Sequence, residues 1–207
     1  MLHLRSLLTV ALLLVALASL NACASPSGAP APGQLRQHET DERLHGEFQR
    51  AGAGFACDVP APLTPQQAER LKEENCLWLG RLSVGQQAAV LEPLLGQPDR
   101  LIPQQKGAVA QVYFSKAATG YLVATVVENR IAALQVTGEQ PFGDWSFNRV
   151  TLGMTLSQLQ EIMGVPMSKT NVPDIGAELW SYTPFPFSFE IKGGRVISIR
   201  IARSDFF

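Results

Sequence analysis

Nucleophilic catalysis of the Ser–His–Asp or Cys–His kind needs a histidine beside the nucleophile. The histidines of this chain, His3, His38 and His45, all precede Asp58. Such a site would need the N-terminal tail to fold back on the rest. Ser–Lys pairs occur at Ser115-Lys116 and Ser168-Lys169. Neighbours in a strand point to opposite faces, which argues against the first, and the second lies in a segment that reads as a polar loop. Glu178 and Glu190 are the best placed carboxylates for glycosidic chemistry, yet acids on a strand surface are far commoner. Gly193-Gly194 reads as a turn and not as a phosphate cradle. The residues point to no enzyme, no cofactor, no metal site and no small-molecule substrate.

The cysteines tell more. Cys57 and Cys76 can each pair only with the other once Cys23 is set aside, and no third ligand makes a metal site with them. A Cys57–Cys76 disulfide is expected, in keeping with export to an oxidising compartment. Export is written in the first 22 residues: Arg5, an apolar run from Leu7 to Leu20, then small residues, the order of a secretory signal. Removing 1–22 takes Arg5 and no acid from 17 basic and 18 acidic side chains, leaving 16 against 18. A nearly neutral chain has no long-range field to gather nucleic acid. Residues 23–40, rich in Pro, Gly and small residues, read as a flexible tether.

The elements that must position any site come from a repeat. Residues 82–98, LSVGQQAAVLEPLLGQP, match 150–166, VTLGMTLSQLQEIMGVP, at one offset of 68. Gly85 matches Gly153, Leu91 matches Leu159, Gly96 matches Gly164 and Pro98 matches Pro166. In the second copy Thr155 caps a helix with Leu156, Leu159, Ile162 and Met163 on one face, ended by Gly164. Strands are predicted at 109–115, 121–127 and 131–136, and in the second copy at 179–182, 185–191 and 197–201. The prolines of Phe185-Pro186-Phe187 put that strand at an edge. The fold class expected is α+β: two tandem helix–β-meander units over 80–138 and 146–203. A helical segment over 41–79, clamped by Cys57–Cys76, precedes them, with Thr64, Pro65 and Gln67 as its start signal.

Leu20-Asn21-Ala22-Cys23 resembles the lipobox of bacterial lipoproteins, which implies that Cys23 is lipidated. Ala24 in place of Asp implies the outer membrane, facing the periplasm; ordinary cleavage nearby would give a soluble periplasmic product. The phrase Gly153-Met154-Thr155, then Leu159, Gly164 and Pro166, resembles the small lipoprotein of the outer-membrane β-barrel assembly machine (BamE-like). Tandem copies of such a unit resemble the β-lactamase inhibitory protein (BLIP-like). The resemblance implies a protein-binding role in the envelope, as an assembly factor or as an inhibitor of a periplasmic or secreted enzyme, with an envelope protein as partner.

If helices cover one face of each meander, strand residues divide by parity. Val112, Phe114, Leu134 and Val136 are expected inside, with Trp180, Tyr182, Ile199 and Ile201. Tyr113, Gln135, Ser181 and Arg200 are then on an open face, and Trp145 and Phe147 lie in the connector. Tyr113, Trp145 and Arg200 together form the expected partner-binding patch. Lys192, Arg195, Arg200 and Arg203 make the C-terminal hairpin locally basic, fit for a solvated strand face or for anionic headgroups.

Overall fold

The computed structural model describes residues 45–59, 63–65, 73–116 and 119–206. The segments read as signal and tether, with Cys23, lie outside these residues, as does nearly all of the helix expected after Thr64. Fourteen strands follow in order: β1 (Glu47–Ala51), β2 (Gly54–Asp58), β3 (Trp78–Leu79), β4 (Leu82–Ser83), β5 (Arg100–Pro103), β6 (Val109–Phe114), β7 (Gly120–Val127), β8 (Arg130–Gly138), β9 (Ser146–Phe147), β10 (Val150–Thr151), β11 (Ser168–Val172), β12 (Ala177–Ser181), β13 (Phe187–Lys192) and β14 (Arg195–Ala202). The α-helices among the described residues are short: α1 (Leu91–Leu95) and α2 (Leu156–Met163). The α+β expectation is thereby corrected. Strand dominates, and one eight-stranded antiparallel sheet, ordered β11-β12-β13-β14-β8-β7-β6-β5, carries the architecture in place of two helix–meander units. Joining β8 to β14 removes two edges that would otherwise expose unpaired backbone.

What the matched phrases do in this sheet is specific. The Gly85 N–H donates to Ile131 O at 2.8 Å, and the Gly153 N–H to Val196 O at 2.7 Å. In return the Ile131 N–H donates to Gln86 O and the Val196 N–H to Met154 O, both at 2.9 Å. An arginine closes each exchange: Arg130 donates to Gly85 O and Arg195 to Gly153 O, each at 2.8 Å. Both glycines have positive φ, 87° and 78°, where a side chain is strained. The clasp thus fixes the segment before each helix to the last strand of its half. Of these two helices, α2 carries a full capping box, Thr155 with Gln158, and α1 has no side-chain cap. Pro93 sits inside α1, which is shorter by three residues.

The covered face of the sheet is packed with Leu122, Leu134, Val136, Trp180, Phe187, Phe189, Ile199 and Ile201, all nearly or fully buried. Residues 47–58, expected within a helical segment, are a β-hairpin instead. Its Phe48 and Phe55 enter an aromatic cluster, with ring centroids 5.2 Å from Phe187 in both cases and 5.1 Å between Phe147 and Phe187. The Asn148 side chain mimics a strand neighbour, accepting from the Phe48 N–H at 2.7 Å and donating to Phe48 O at 2.9 Å. A disulfide joins Cys57 of β2 to Cys76, Cα–Cα 5.7 Å, just before the buried Leu77 and Trp78. It ties the hairpin to the start of the first half.

Three strand placements differ from expectation, each for a local reason. The strand of Phe187 and Phe189 is interior, between β12 and β14; Pro184 and Pro186 precede it and cost no ladder bond. The true edges are β5 and β11, whose residues are exposed apart from the half-buried Val172, so neither shows apolar alternation. In β14 a bulge opposite Glu190/Ile191 makes Ile197 the extra residue, and Val196 enters the core in its place.

Gly153→Ala keeps an ordinary 3.5 Å contact to Pro141 but must hold a positive φ, so a loss of about 1–2 kcal/mol is expected by chemical denaturation. Arg195→Ala, losing one exposed charge-assisted bond, should lose about 1 kcal/mol. Unchanged stability in both would mean that the clasp holds nothing. Reducing Cys57–Cys76, a separation of 19 residues, is expected to cost about 3 kcal/mol in the same measurement. A midpoint that does not shift on reduction would contradict this.

Candidate functional site: the open face of the sheet

Pairing across the sheet defines which side chains share a face. Arg100, Val112, Val123, Gln135, Arg200, Ser188, Ser181 and Ser168 form one continuous row over all eight strands. This row faces away from the aromatic core. A parallel row runs Phe114, Tyr121, Thr137, Ser198, Glu190, Leu179 and Thr170. The face is therefore built from small polar residues at its centre and apolar residues toward β5–β7.

The centre is a hydrogen-bonded cluster at the junction of the two halves. Gln135 Nε2 donates to Ser198 Oγ at 2.9 Å, and the Thr137 hydroxyl donates to Ser198 Oγ at 3.1 Å. Glu190 also shares a hydrogen bond with Ser198 and feels the charge of Arg200. Burial in this face pushes the Glu190 carboxyl above its ordinary range, while Ser198 and Arg200 pull it back. Burial lowers Arg200 and the Glu190 charge raises it. At the far end of β7 and β14, Thr125, Val127, Arg200 and Arg203 line a recess. Gln105 and Lys106 of the 105–107 turn and Asp205 and Phe206 of the C-terminal turn also line it, giving a solvent-open groove of about 550 Å³.

The expected three-residue patch is not one patch. Arg200 lies on the open face, half-buried beside Glu190 and lining the groove. Tyr113 is on the other side: its row is Leu122, Val136, Ile199 and Phe189, and it is 7% exposed. Phe114 is the outward residue, 44% exposed, with the Arg100 guanidinium 5.2 Å above its ring. Val112, though buried, shares the open row. The cause is an extra residue in the second half between the edge strand and its neighbour. Arg100 pairs with Val112, but its counterpart Ser168 pairs with Ser181. Tyr113 thus corresponds to Tyr182 and not to Phe114's expected place, and one step of register turns every side chain over. Both tyrosines are buried; Tyr182 donates to Gly164 O at 3.0 Å, and burial raises both phenols above their ordinary value. Trp145 stands apart, half-buried beside α1 in a small cavity of about 140 Å³ lined by Arg81, Leu94, Leu95 and Asp144. Gln135 and Ser181 lie on the open face as expected. Glu190, Ser198 and Thr137 lie outside the expected patch, although the period-two alternation of β8, β13 and β14 carries their direction.

No protein-family profile matches the chain, and no curated protein matches it. Solved structures do. One is a cysteine-rich secretory protein of Staphylococcus aureus subsp. aureus Mu50, 18% identical, over 59% of this chain and 44% of that one, TM-score 0.43. Another is an extracellular protein containing an SCP domain from Bacillus anthracis, 13% identical, over 59% and 45%, TM-score 0.42. A third is a DUF4309 family protein of Bacillus subtilis, 12% identical, over 56% and 77%, TM-score 0.40. This chain's match spans less than half of the first two proteins' length. At these TM-scores the likenesses decide neither fold nor function. The resemblance to barrel-assembly lipoproteins and to the β-lactamase inhibitory protein is corrected by these results, because neither a profile nor these similar structures carry it. A glycine and proline after a short helix are a helix-stop signal that unrelated folds share.

Glu190 gives a pH test of the cluster. Its raised folded pKa means that the folded chain holds this proton more tightly than the unfolded chain does. The resulting stability is present below the ordinary glutamate pKa and is lost as pH rises through the raised folded value. Compared with Glu190→Gln, the native chain should therefore be relatively most stable at low pH, with the difference moving against it across that window. Denaturant midpoints of both proteins that run parallel from acid to neutral pH would contradict it.

Proposed function

We propose that this chain is an exported, non-enzymatic protein-binding factor of the cell envelope, and that it holds its partner on the open face of the eight-stranded sheet. The observation that carries the reading is the asymmetry of that sheet. One face is filled with aromatic and aliphatic side chains; the other presents a continuous row from Arg100 to Ser168 with a polar centre. Eight strands about 4.8 Å apart, each about 17–20 Å long, make a surface of about 600–750 Å². A stable interface takes about 800 Å² from each partner, so the face has the right scale for a protein. Export is supported by the apolar segment before Cys23 and by the Cys57–Cys76 disulfide. No helix among the described residues is long and apolar enough to cross a membrane. Attachment to the outer membrane, facing the periplasm, would come through a lipid on Cys23, with residues 24–40 as the tether.

The test is affinity capture from solubilised envelopes with the native lipidated chain, beside Val123→Glu on the open face and Gln160→Glu on the exposed side of α2. A protein retained by the native chain and by Gln160→Glu, but lost with Val123→Glu at unchanged melting temperature, supports the reading. Retention by all three alike places the contact elsewhere and overturns it. A captured enzyme whose activity falls on binding would make the role inhibitory; captured assembly proteins would make it structural.

A further inference from the structure

We infer that β5, the edge of the sheet in the first half, takes an extended apolar segment of the partner as a ninth strand. The inference rests on the protein-binding reading above and adds the form in which the partner is held. β5 is paired on one side only, with β6, and ends the sheet there. Leu101 and Ile102 at its centre are 61% and 44% exposed. They lie on opposite faces. Ile102 pairs with Ala110 in the open-face set, whereas the row of Leu101 runs through Gln111 and Ala124 to the buried Leu134. Phe114 extends the open-face part of this apolar margin. A cover laid on one face would leave the other wet. A strand added to the edge covers both, because its own side chains alternate.

The opposite edge shows the protected alternative. At the repeat offset of 68, Leu101 matches Lys169 and Ile102 matches Thr170. Lys169 Nζ sits 4.3 Å from the centre of the Trp180 ring, and Ser168, Thr170 and Asn171 complete a polar edge. Charged and polar side chains on an edge discourage pairing with another chain. In β5 the guanidinium of Arg100 is drawn over the Phe114 ring, and the middle of the strand stays apolar.

The backbone selects a partner strand over a second copy of this chain. The Gln104 N–H donates to Ala108 O at 2.8 Å, so by the alternation of an antiparallel ladder Arg100 and Ile102 bond inward, Leu101 and Pro103 outward. The outer side therefore offers the Leu101 N–H and the carbonyls of Leu101 and Pro103. A second copy set antiparallel about Leu101 would bring Asp99 opposite Pro103. The Asp99 N–H already donates to Val112 O at 2.9 Å, which leaves the Pro103 carbonyl unbonded. A foreign strand carries N–H groups for both carbonyls. It also widens the open face by about 4.8 Å, from an area just short of the about 800 Å² that each partner gives a stable interface.

Two arms of one experiment decide it. In the first, the full chain is titrated with a labelled peptide that holds a short run of valine, isoleucine and phenylalanine between charged ends. The same peptide N-methylated at every amide of the run is the control. Anisotropy reports binding, and hydrogen exchange reports the Leu101 amide. The expected result is saturable binding that slows exchange at Leu101 and is lost on N-methylation. Leu101→Glu, at unchanged melting temperature, should weaken it about tenfold or more. No binding, equal binding of the methylated peptide, or an unslowed Leu101 amide overturns the strand site. Protection of that amide in the free chain also overturns it: the occupant is a second copy if protection rises with concentration, and a segment of this chain if it does not. The second arm repeats the envelope capture with Leu101→Glu. Loss of the protein that Val123→Glu also loses, together with the peptide result, supports the edge. Loss with Leu101→Glu alone supports the edge and refutes the open-face reading. Capture kept by Leu101→Glu but lost with Val123→Glu refutes the edge and leaves the open-face reading standing. Capture kept by both refutes both.

Discussion

The clasp between the glycine turn and the last strand of each half is the constraint on which the rest of the sheet depends. A glycine with positive φ brings its own N–H and C=O to one strand end, and an arginine from that strand bonds the glycine carbonyl. Backbone groups at a helix entry would otherwise need water or caps. Satisfying them on the strand fixes the helix over one face of the sheet. The same contacts recur in both halves, and Leu91 of α1 and Leu159 of α2 enter one core, so neither of these helices covers the opposite face. The uncovered side of the described sheet thus follows from local backbone chemistry written twice.

This asymmetry also explains the division of stabilisation. Phe48, Phe55, Phe147, Tyr182, Phe187 and Phe189 concentrate their area on one face, where each buried aromatic contributes a few kcal/mol. The N-terminal hairpin adds its two phenylalanines to that cluster and is bonded through Cys57–Cys76 to the first half. The open face holds only modest apolar area at its centre, where Ser188 and Ser198 are buried by their neighbours and Gln135 and Thr137 complete their hydrogen bonds. Such a surface is stable in water and retains polar groups whose bonds a partner can exchange. On it, burial raises the Glu190 carboxyl and lowers Arg200, and each charge partly offsets the other's shift.

Parts of this were legible in the sequence and parts were not. The two glycine phrases, the α2 capping residues and the inward Ile199 and Ile201 all follow from short-range patterns that the structure uses directly. The β6 parity was not legible, since Val112-Tyr113-Phe114 is apolar throughout and one extra residue in the second half changes which members correspond. Ser168–Val172 could not be read as a strand because an edge exposed on both faces needs no alternation. Val196-Ile197 hid a bulge for the same reason that β6 hid its parity: both residues are apolar. Arg200 was placed correctly because apolar neighbours on both sides fix its direction. Tyr113 had no such frame, and Trp145 lies in a connector whose packing depends on Gly80 and α1.

The central claim is that the partner touches the uncovered face and not the helices. Site-specific photocrosslinking in intact cells tests it most directly, with a benzophenone side chain at Tyr121 on the open face or at Gln160 on the exposed side of α2. The account predicts a discrete protein adduct from position 121 and none from position 160. An adduct from position 160 with none from position 121 would contradict it.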